Sequence, residues 1–228
     1  MWTPAAAAAA AAGGADPCAS GWFGVRCDAN GTHVLQLFPN TRFSGNALDC
    51  ELPASIGDLA NLEHLYTSND RTPSSLHGAI PTSLGRLSRL KCLYFSHNNL
   101  SGSIPTELQQ LTSLEVFLMR CNRLSGPLID FAPLTALRNV WFDTNDGLTG
   151  SLDALGALPH LTFLQASHNP LLRGALPPTL CAINCDAADT GVNCSASLPA
   201  SCCGIASCGS APPPPPPPPV SMGECFPQ

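Results

Sequence analysis

Apolar residues recur through the middle of the chain with a long and regular period. Leucines 59, 87, 111, 134 and 158 each begin a copy of one pattern, so successive copies start 28, 24, 23 and 24 residues apart. The clearest copy reads LSRLKCLYFSHNNLSGSIPTEL over residues 87–108. Within it, the alternation of Leu93, Tyr94 and Phe95 predicts a short strand, because successive side chains of a strand point to opposite faces. Each copy therefore predicts one strand that points two apolar side chains inward.

The equivalent apolar positions recur in the following copies. They are Leu114, Phe117 and Met119, then Leu137, Val140 and Phe142, then Leu161, Leu164 and Ala166. A unit of about 24 residues cannot bury such a set alone, whereas stacked units cover one another's apolar sides. A repeat of 20 to 29 residues with leucines and an asparagine at these positions is typical of a solenoid that adds one strand per unit. We therefore expect one domain with its function on a surface.

An asparagine and a glycine recur at fixed places after each strand. The asparagines are Asn98, Asn122, Asn145 and Asn169, and the glycines are Gly78, Gly102, Gly126, Gly150 and Gly174. A short amide at a bend can bond backbone groups of adjacent turns, and glycine permits a bend or a close approach of backbones. We interpret both ladders as structural and not as ligand sites.

The second half of the unit, LxGxIP, is more specific than the leucines. It reads LHGAIP at 76–81, LSGSIP at 100–105 and LRGALP at 172–177, whereas the copies beginning at Leu128 and Leu152 lack the proline. A segment with Cys18, Trp22 and Cys27 precedes the first, irregular unit. Residues 16–183 resemble the plant-type leucine-rich repeats of receptor-like kinase ectodomains, receptor-like proteins and polygalacturonase-inhibiting proteins.

The resemblance implies an α/β repeat fold. It would be a right-handed solenoid of about six units, with a concave parallel β-sheet and short helical turns on the convex face. It also implies a cysteine-paired N-terminal cap, with Cys18 and Cys27 as its pair. The family mostly binds proteins or peptides outside the cell. The expected divisions are an alanine-rich leader (1–17), the cap (18–31), the repeats (32–183), a cysteine-rich C-terminal cap (184–210) and a proline-rich tail (211–228).

The side chains between the two inward positions of each strand should face outward on the concave side. The central line of this face is Gln36, Tyr66, Tyr94, Leu118, Trp141 and Gln165. The flanking lines are Val34, His64, Cys92, Val116, Asn139 and Phe163 on one side and Phe38, Ser68, Ser96, Arg120, Asp143 and Ser167 on the other. Exposed aromatic side chains grouped with arginine are typical anchors of protein interfaces. We therefore predict a binding surface with Tyr66, Tyr94, Leu118, Trp141, Gln165, His64, Phe163, Arg120 and Asp143, although these residues could instead only shield the sheet.

The 12 cysteines favour an oxidising compartment, because cytosolic proteins seldom contain so many outside metal sites. Seven lie beyond the last repeat, at Cys181, Cys185, Cys194, Cys202, Cys203, Cys208 and Cys225. Their position suits a disulfide-linked lid over the end of the core, and their spacing lacks the paired CxxC-like motifs of a zinc site. Within the repeats, Cys92 and Cys121 fall about five residues apart in depth, which is too far for a disulfide.

Charge and the chain ends limit the choice of partners. The net charge of −6 disfavours nucleic acid, and no apolar run reaches the ~20 residues of a membrane span. The alanine-rich start lacks the positive charge of a signal peptide, so secretion is not clearly encoded there. Pro212–Pro219 predicts a polyproline helix. This tract could be a spacer, a ligand for an aromatic-lined groove or a means of cell-wall association, although extensin-like repeats would interrupt it with serine.

No arrangement of residues suggests catalysis, a metal or a cofactor. The scattered histidines at 64, 97, 160 and 168 have no assignable nucleophile and acid, so we expect them to lie at exposed or edge positions. Asn30, Asn99 and Asn193 begin N-glycosylation acceptor motifs. We expect Asn99 to point outward and to be modified as readily as Asn30. The sequence thus favours an extracellular module that binds a protein or peptide, with a wall-associated adaptor or a receptor-kinase ectodomain fragment as alternatives.

Overall fold

The six predicted units each supply one strand to a single curved sheet. A computed structural model describes residues 18, 24–37, 50–67, 76–194, 198 and 202–205. The strands are β1 (Val25–Cys27), β2 (Val34–Leu37), β3 (His64–Tyr66), β4 (His77–Ala79), β5 (Cys92–Tyr94), β6 (Asn99–Gly102), β7 (Val116–Leu118), β8 (Arg123–Pro127), β9 (Asn139–Trp141), β10 (Gly147–Thr149), β11 (Phe163–Gln165) and β12 (Asn184–Asp186). The predicted leader and proline-rich tail lie outside the described residues.

The main sheet follows the order β1-β2-β3-β5-β7-β9-β11-β12. All neighbours are parallel except β1 and β2, which pair antiparallel. The predicted parallel sheet is therefore confirmed, with one antiparallel strand added from the N-terminal cap. At the other end, β12 lies in the predicted C-terminal cap and continues the sheet by pairing with β11.

Short helical turns lie between the strands, as the resemblance implies. The 3-10 helices are Ala54–Asp58, Thr82–Arg86, Thr106–Gln110, Pro178–Ala182 and Cys202–Gly204, and α1 is Asp153–Gly156. Equivalent turns pack closely: a methyl group added at Gly57 or Gly85 would overlap the backbone of the next unit. A second parallel sheet, β10-β8-β6-β4, was not predicted. It forms from the polar LSG segments, whose backbone pairs without an alternating apolar pattern.

The inward side chains form one continuous core. Leu93, Phe117, Val140 and Leu164 occupy the same depth on successive strands and are fully buried. Stacked units thus bury a set of side chains that no single unit could cover, which is the reason for the solenoid. Leu37 lies beside Leu65 in the sheet and so occupies this same inward row.

The asparagine ladder is structural, as predicted. In one unit the Nδ2 of Asn122 donates to the carbonyl oxygens of Phe95 at 2.9 Å and Met119 at 3.0 Å. Its Oδ1 accepts the backbone N–H of Leu100 at 3.1 Å. One amide therefore joins two adjacent units at the point where the chain leaves the sheet. Asn98 and Asn145 repeat this arrangement.

The residue before each of these asparagines has a left-handed backbone. The φ angles are 58° at His97, 53° at Cys121, 59° at Thr144 and 54° at His168. Because L residues with side chains seldom adopt positive φ, the asparagine bonds hold a conformation that is unfavourable by itself. The recurring glycines from Gly78 to Gly174 also have positive φ, so their structural role is confirmed. The sequence pattern gave no sign of the non-glycine positions.

Disulfides lie in both caps. Cys18 pairs with Cys27, as the resemblance implied, with their Cα atoms 5.8 Å apart. In the C-terminal cap, Cys181 pairs with Cys202 and Cys185 pairs with Cys203. These four cysteines are therefore cross-linked in pairs. Cys92 and Cys194 are also disulfide-bonded. Cys121 is a free thiol, which agrees with its predicted distance in depth from Cys92.

Candidate ligand-binding face

The concave side chains align across the strands in one register. Tyr66 lies beside Tyr94, then Leu118, then Trp141, and Gln165 follows. The central line is therefore correct from the second unit onward. Gln36 was wrongly placed in it, because Gln36 pairs with His64 and belongs to the flanking line. The first unit has leucines at both 35 and 37, and alternation alone could not decide which of them matches Leu65.

One half of this face is an apolar cluster separate from the main core. It contains buried Tyr66, Cys92, Val116 and Leu118, with half-buried Tyr94 and Trp141 packed against them. The Tyr66 and Tyr94 rings lie 6.2 Å apart between centroids. The expectation of exposed side chains is wrong for Tyr66 and Leu118, which are only 5% and 3% exposed. Neighbouring strands hold these large side chains against one another, so each covers the next.

His64 was expected on the exposed binding face. The structure instead buries it at the edge of the apolar cluster. Its ring stacks on Tyr66, and its Nδ1 is hydrogen-bonded to the Tyr66 hydroxyl at 3.1 Å. Burial lowers the pKa of His64, so the neutral ring is favoured, and burial raises the pKa of Tyr66. Phe163, on the same flanking line as His64, is half-buried. His64 and Tyr66 are therefore a neutral hydrogen-bonded pair packed at the edge of the apolar cluster.

The other half of the face is polar. Arg120 and Asp143 were both predicted on the second flanking line, and their side chains meet with 3.4 Å between Nε and Oδ2. The Arg120 guanidinium also lies over the Trp141 ring, 5.8 Å from its centroid. Asp143 is buried, contrary to the expected exposure. Burial raises the pKa of Asp143, and the opposing effect of Arg120 is smaller. The ion pair therefore does not fully compensate for removing the carboxylate from water.

Several polar atoms on this half are buried without a hydrogen-bond partner. They are Arg120 Nε, Asn139 Oδ1, Trp141 Nε1, Asp143 Oδ1 and Asn184 Oδ1. Asn184 and Asp186 extend the face on β12 and were missed, because Cys185 occupies the inward position that leucine fills elsewhere. Gln36 Oε1 and Ser96 Oγ, elsewhere on the face, are also buried without a hydrogen-bond partner. Buried polar groups are usually satisfied, so these atoms are places where a ligand can supply donors or acceptors.

The three predicted glycosylation positions differ in accessibility. Asn30 is exposed in the turn between β1 and β2, close to Thr32, whose hydroxyl is hydrogen-bonded to Asp28. Asn99 is half-buried in β6, and Asn193 is exposed beside Ala175 in an isolated bridge. Accessibility therefore ranks Asn99 below Asn30, whereas the sequence had ranked them equal. Modification at all three remains a prediction.

Two further findings concern membranes and metals. Within the part of the chain that the structure describes, no helix is long and apolar enough to cross a bilayer. Among those same residues, no group of three or more histidine, cysteine, aspartate or glutamate side chains is arranged to hold a metal ion.

Comparison with known proteins places this geometry among the leucine-rich repeats. A family model described as Leucine Rich Repeat matches residues 89–111. No curated protein matches the chain. Among solved structures, the ectodomain of the receptor kinase GASSHO1/SCHENGEN3 from Arabidopsis thaliana, in complex with CASPARIAN STRIP INTEGRITY FACTOR 2, is 30% identical with a TM-score of 0.67. That match covers 75% of this chain and 20% of the receptor chain.

Two other structures are similar. The plant peptide hormone receptor RGFR1 in complex with RGF2 is 27% identical, with a TM-score of 0.64 and coverage of 78% of this chain and 31% of that one. The ectodomain of the receptor kinase SOBIR1 from Arabidopsis thaliana is 26% identical, with a TM-score of 0.58 and coverage of 68% and 84%. The chain thus spans about a fifth and a third of the first two receptor chains, and most of the third.

Proposed function

Because the chain is a leucine-rich-repeat protein of the plant type, we propose that it is an extracellular module that binds a peptide or protein ligand on its concave face. The observation that carries this proposal is the aligned row from Tyr66 to Trp141. These side chains form an apolar cluster of their own on the side of the sheet opposite the core. Tyr94 and Trp141 are the half-buried members of this cluster, so they are the apolar side chains that a partner can contact, and aromatic side chains are typical anchors of protein interfaces.

The mechanism is rigid presentation. The central side chains from Tyr66 to Gln165 stand on strands that are paired with a neighbour on both sides, and an asparagine amide holds the bend that follows several of these strands. A ligand would meet side chains that are already ordered, so little conformational entropy would be lost by the protein on binding. The similar receptors RGFR1 and GASSHO1/SCHENGEN3 were solved in complex with RGF2 and CASPARIAN STRIP INTEGRITY FACTOR 2, which supports a peptide-sized ligand.

A selection from a random peptide display library tests this function. The wild-type chain, made in an oxidising secretory host, is the bait, and the Tyr94→Ala/Trp141→Ala double variant is used for counter-selection. We expect peptides that bind the wild type at least tenfold more tightly than the double variant, because truncating central aromatic anchors typically costs 2 kcal/mol or more. Peptides that bind both proteins equally would place recognition elsewhere and contradict the proposal.

A receptor-kinase ectodomain is a second candidate for the whole protein. It is favoured by the match that covers 84% of the SOBIR1 ectodomain. A transcript that continues into an apolar span of ~20 residues would support this candidate. Cell-wall association through Pro212–Pro219 is a separate hypothesis, and that tract lies outside the described residues. Salt extraction of walls from tissue expressing the chain with and without 211–228 would test it, since only the complete chain should be retained.

A further inference from the structure

The polar half of the concave face has an excess of buried acceptors. Asn139 and Asp143 are only 8% and 6% exposed, and each has a side-chain oxygen without a hydrogen-bond partner. The Oδ1 of Asn184 on β12, two strands beyond Asn139, is also buried without a hydrogen-bond partner. A buried acceptor left unpaired costs ~1–3 kcal/mol, and more when it is charged. Asn139 and Asn184 lie on the first flanking line and Asp143 on the second, so one partner group cannot reach all three oxygens. The oxygen that carries negative charge is that of Asp143, and a group that donates hydrogen bonds would satisfy it.

Charge on this half narrows the chemistry of that partner. Among the described residues, Arg120 is the cation within 4 Å of Asp143, and its Nε lies 3.4 Å from Oδ2 without making a hydrogen bond. Asp186 on β12 acts on Asp143 as a second negative charge, and His97 opposes it with a smaller effect. An anionic group placed here would face two carboxylates. A cationic group would instead reach the unpaired Oδ1 of Asp143, so charge complementarity favours a cation.

Trp141 supplies the surface on which such a cation could lie. Its ring already holds the Arg120 guanidinium at 5.8 Å from the centroid, which is within the range of a cation–π contact. On the other side, Leu118 and Tyr94 follow Trp141 on the next two strands. With strands ~4.8 Å apart, Leu118 and Tyr94 of the apolar cluster stand about 5 and 10 Å along the sheet from Trp141, a distance spanned by two or three extended residues.

We propose that Asp143, Trp141 and the adjoining polar face form a subsite for the guanidinium or ammonium side chain of a peptide ligand. An apolar side chain of the same peptide, two or three residues away, packs on Tyr94 and Leu118. This inference rests on the concave-face function proposed above and adds the chemistry of the ligand to it. A guanidinium suits the subsite best, because its planar fork of donors can bond a carboxylate oxygen while its face lies on an aromatic ring.

The test begins with a dodecapeptide display library selected on the wild-type chain and, in parallel, on Asp143→Asn. Asp146→Asn is the matched control, because Asp146 is an exposed aspartate of the same unit. We expect arginine and lysine to be enriched near an apolar residue on the wild type and on Asp146→Asn, and the basic preference to be lost on Asp143→Asn. Thermal unfolding confirms that each variant is folded, and the neutral amide keeps the size of the side chain.

A pair of synthetic peptides then isolates the contact. The most enriched wild-type peptide is compared with the same peptide carrying citrulline, which is uncharged, in place of arginine, or acetyl-lysine in place of lysine. We expect neutralisation to weaken binding at least tenfold on the wild type and on Asp146→Asn, and less than threefold on Asp143→Asn. Arg120→Gln should bind the basic peptide at least as tightly as the wild type, because it removes the competing cation. The proposal would be overturned if removing the peptide's charge weakened binding equally on the wild type, Asp146→Asn and Asp143→Asn. It would also be overturned if Arg120→Gln bound the basic peptide more weakly than the wild type.

The same selection separates this proposal from the one on which it rests. Peptides without basic residues that bind the wild type but not Tyr94→Ala would leave concave-face binding intact and overturn the cationic subsite. No enrichment of any peptide on the wild type over the Tyr94→Ala/Trp141→Ala double variant would overturn both.

Discussion

Asn145 offers the sharpest test of how the units are held together. Its side chain is fully buried, and its Nδ2 donates to the carbonyl oxygens of Phe142 at 2.9 Å and Met119 at 3.1 Å. Its Oδ1 accepts the backbone N–H of Leu124 at 3.0 Å. Asn145→Ala removes these three hydrogen bonds and leaves backbone groups of two units without partners.

The magnitude follows from the number of bonds. A hydrogen bond contributes ~1 kcal/mol net, so three give about 3 kcal/mol, and incomplete access of water to the orphaned groups raises that figure. We therefore expect Asn145→Ala to lower the free energy of unfolding by about 3 kcal/mol or more. Asn169→Ala should cost less, because the Oδ1 of Asn169 has no partner to lose.

Urea unfolding of the disulfide-intact protein, followed by circular dichroism, measures this difference. Hydrogen exchange locates it, because the Leu124 amide should lose protection more than the amides of the strand pairs around it. Asn99→Ala is the control, since Asn99 is half-buried and lies outside the ladder. A cost below 0.5 kcal/mol for Asn145→Ala, or unchanged protection at Leu124, would refute the reasoning.

Three further predictions concern the faces of the sheet, the contacts between units and the buried carboxylate. Leu93→Ala, at a fully buried position, should destabilise the fold by ~2–5 kcal/mol in chemical unfolding, and Tyr94→Ala should cost clearly less; the reverse order would mean that the strand faces are exchanged. Gly85→Ala should destabilise the fold more than Gly102→Ala in the same assay. Both substitutions add a methyl group, but only the one at Gly85 overlaps the backbone of the next unit. At Gly102 the substitution costs only the strain of the positive φ. Asp143→Asn should raise the melting temperature at pH 7, because burial raises the folded-state pKa of Asp143 and its ionised form is destabilising above that pKa. The difference in melting temperature from the wild type should narrow as the pH falls. A difference independent of pH would contradict this.

The period of the sequence determines most of the fold. Inward leucines at a nearly constant spacing place β3, β5, β7, β9 and β11 in register, because a shift by one residue would expose the core side chains. The first unit is ambiguous, since Leu35 and Leu37 both fit an inward position. The strand β12 is hidden because Cys185 stands where a leucine would mark the pattern.

The candidate face was predictable in its alignment but not in its burial. Alternation along one strand identifies Tyr66 and Leu118 as concave, but it carries no information on how side chains of adjacent strands cover each other. The same applies to Asp143, whose carboxylate meets the Arg120 side chain of the preceding unit. The second sheet was missed for a related reason. Its strands pair through backbone hydrogen bonds, and their small polar side chains show no alternating apolar pattern that would reveal the pairing in the sequence.

The dissociation constant of a selected peptide, measured on matched variants, tests concave-face binding most directly. The comparison uses the wild type, Trp141→Ala on the concave face and Arg86→Ala on an exposed turn between strands, with the fold of each checked by circular dichroism. The account predicts that Trp141→Ala weakens binding at least tenfold and that Arg86→Ala changes it less than twofold. Equal effects of the two substitutions, or a loss confined to Arg86→Ala, would contradict it.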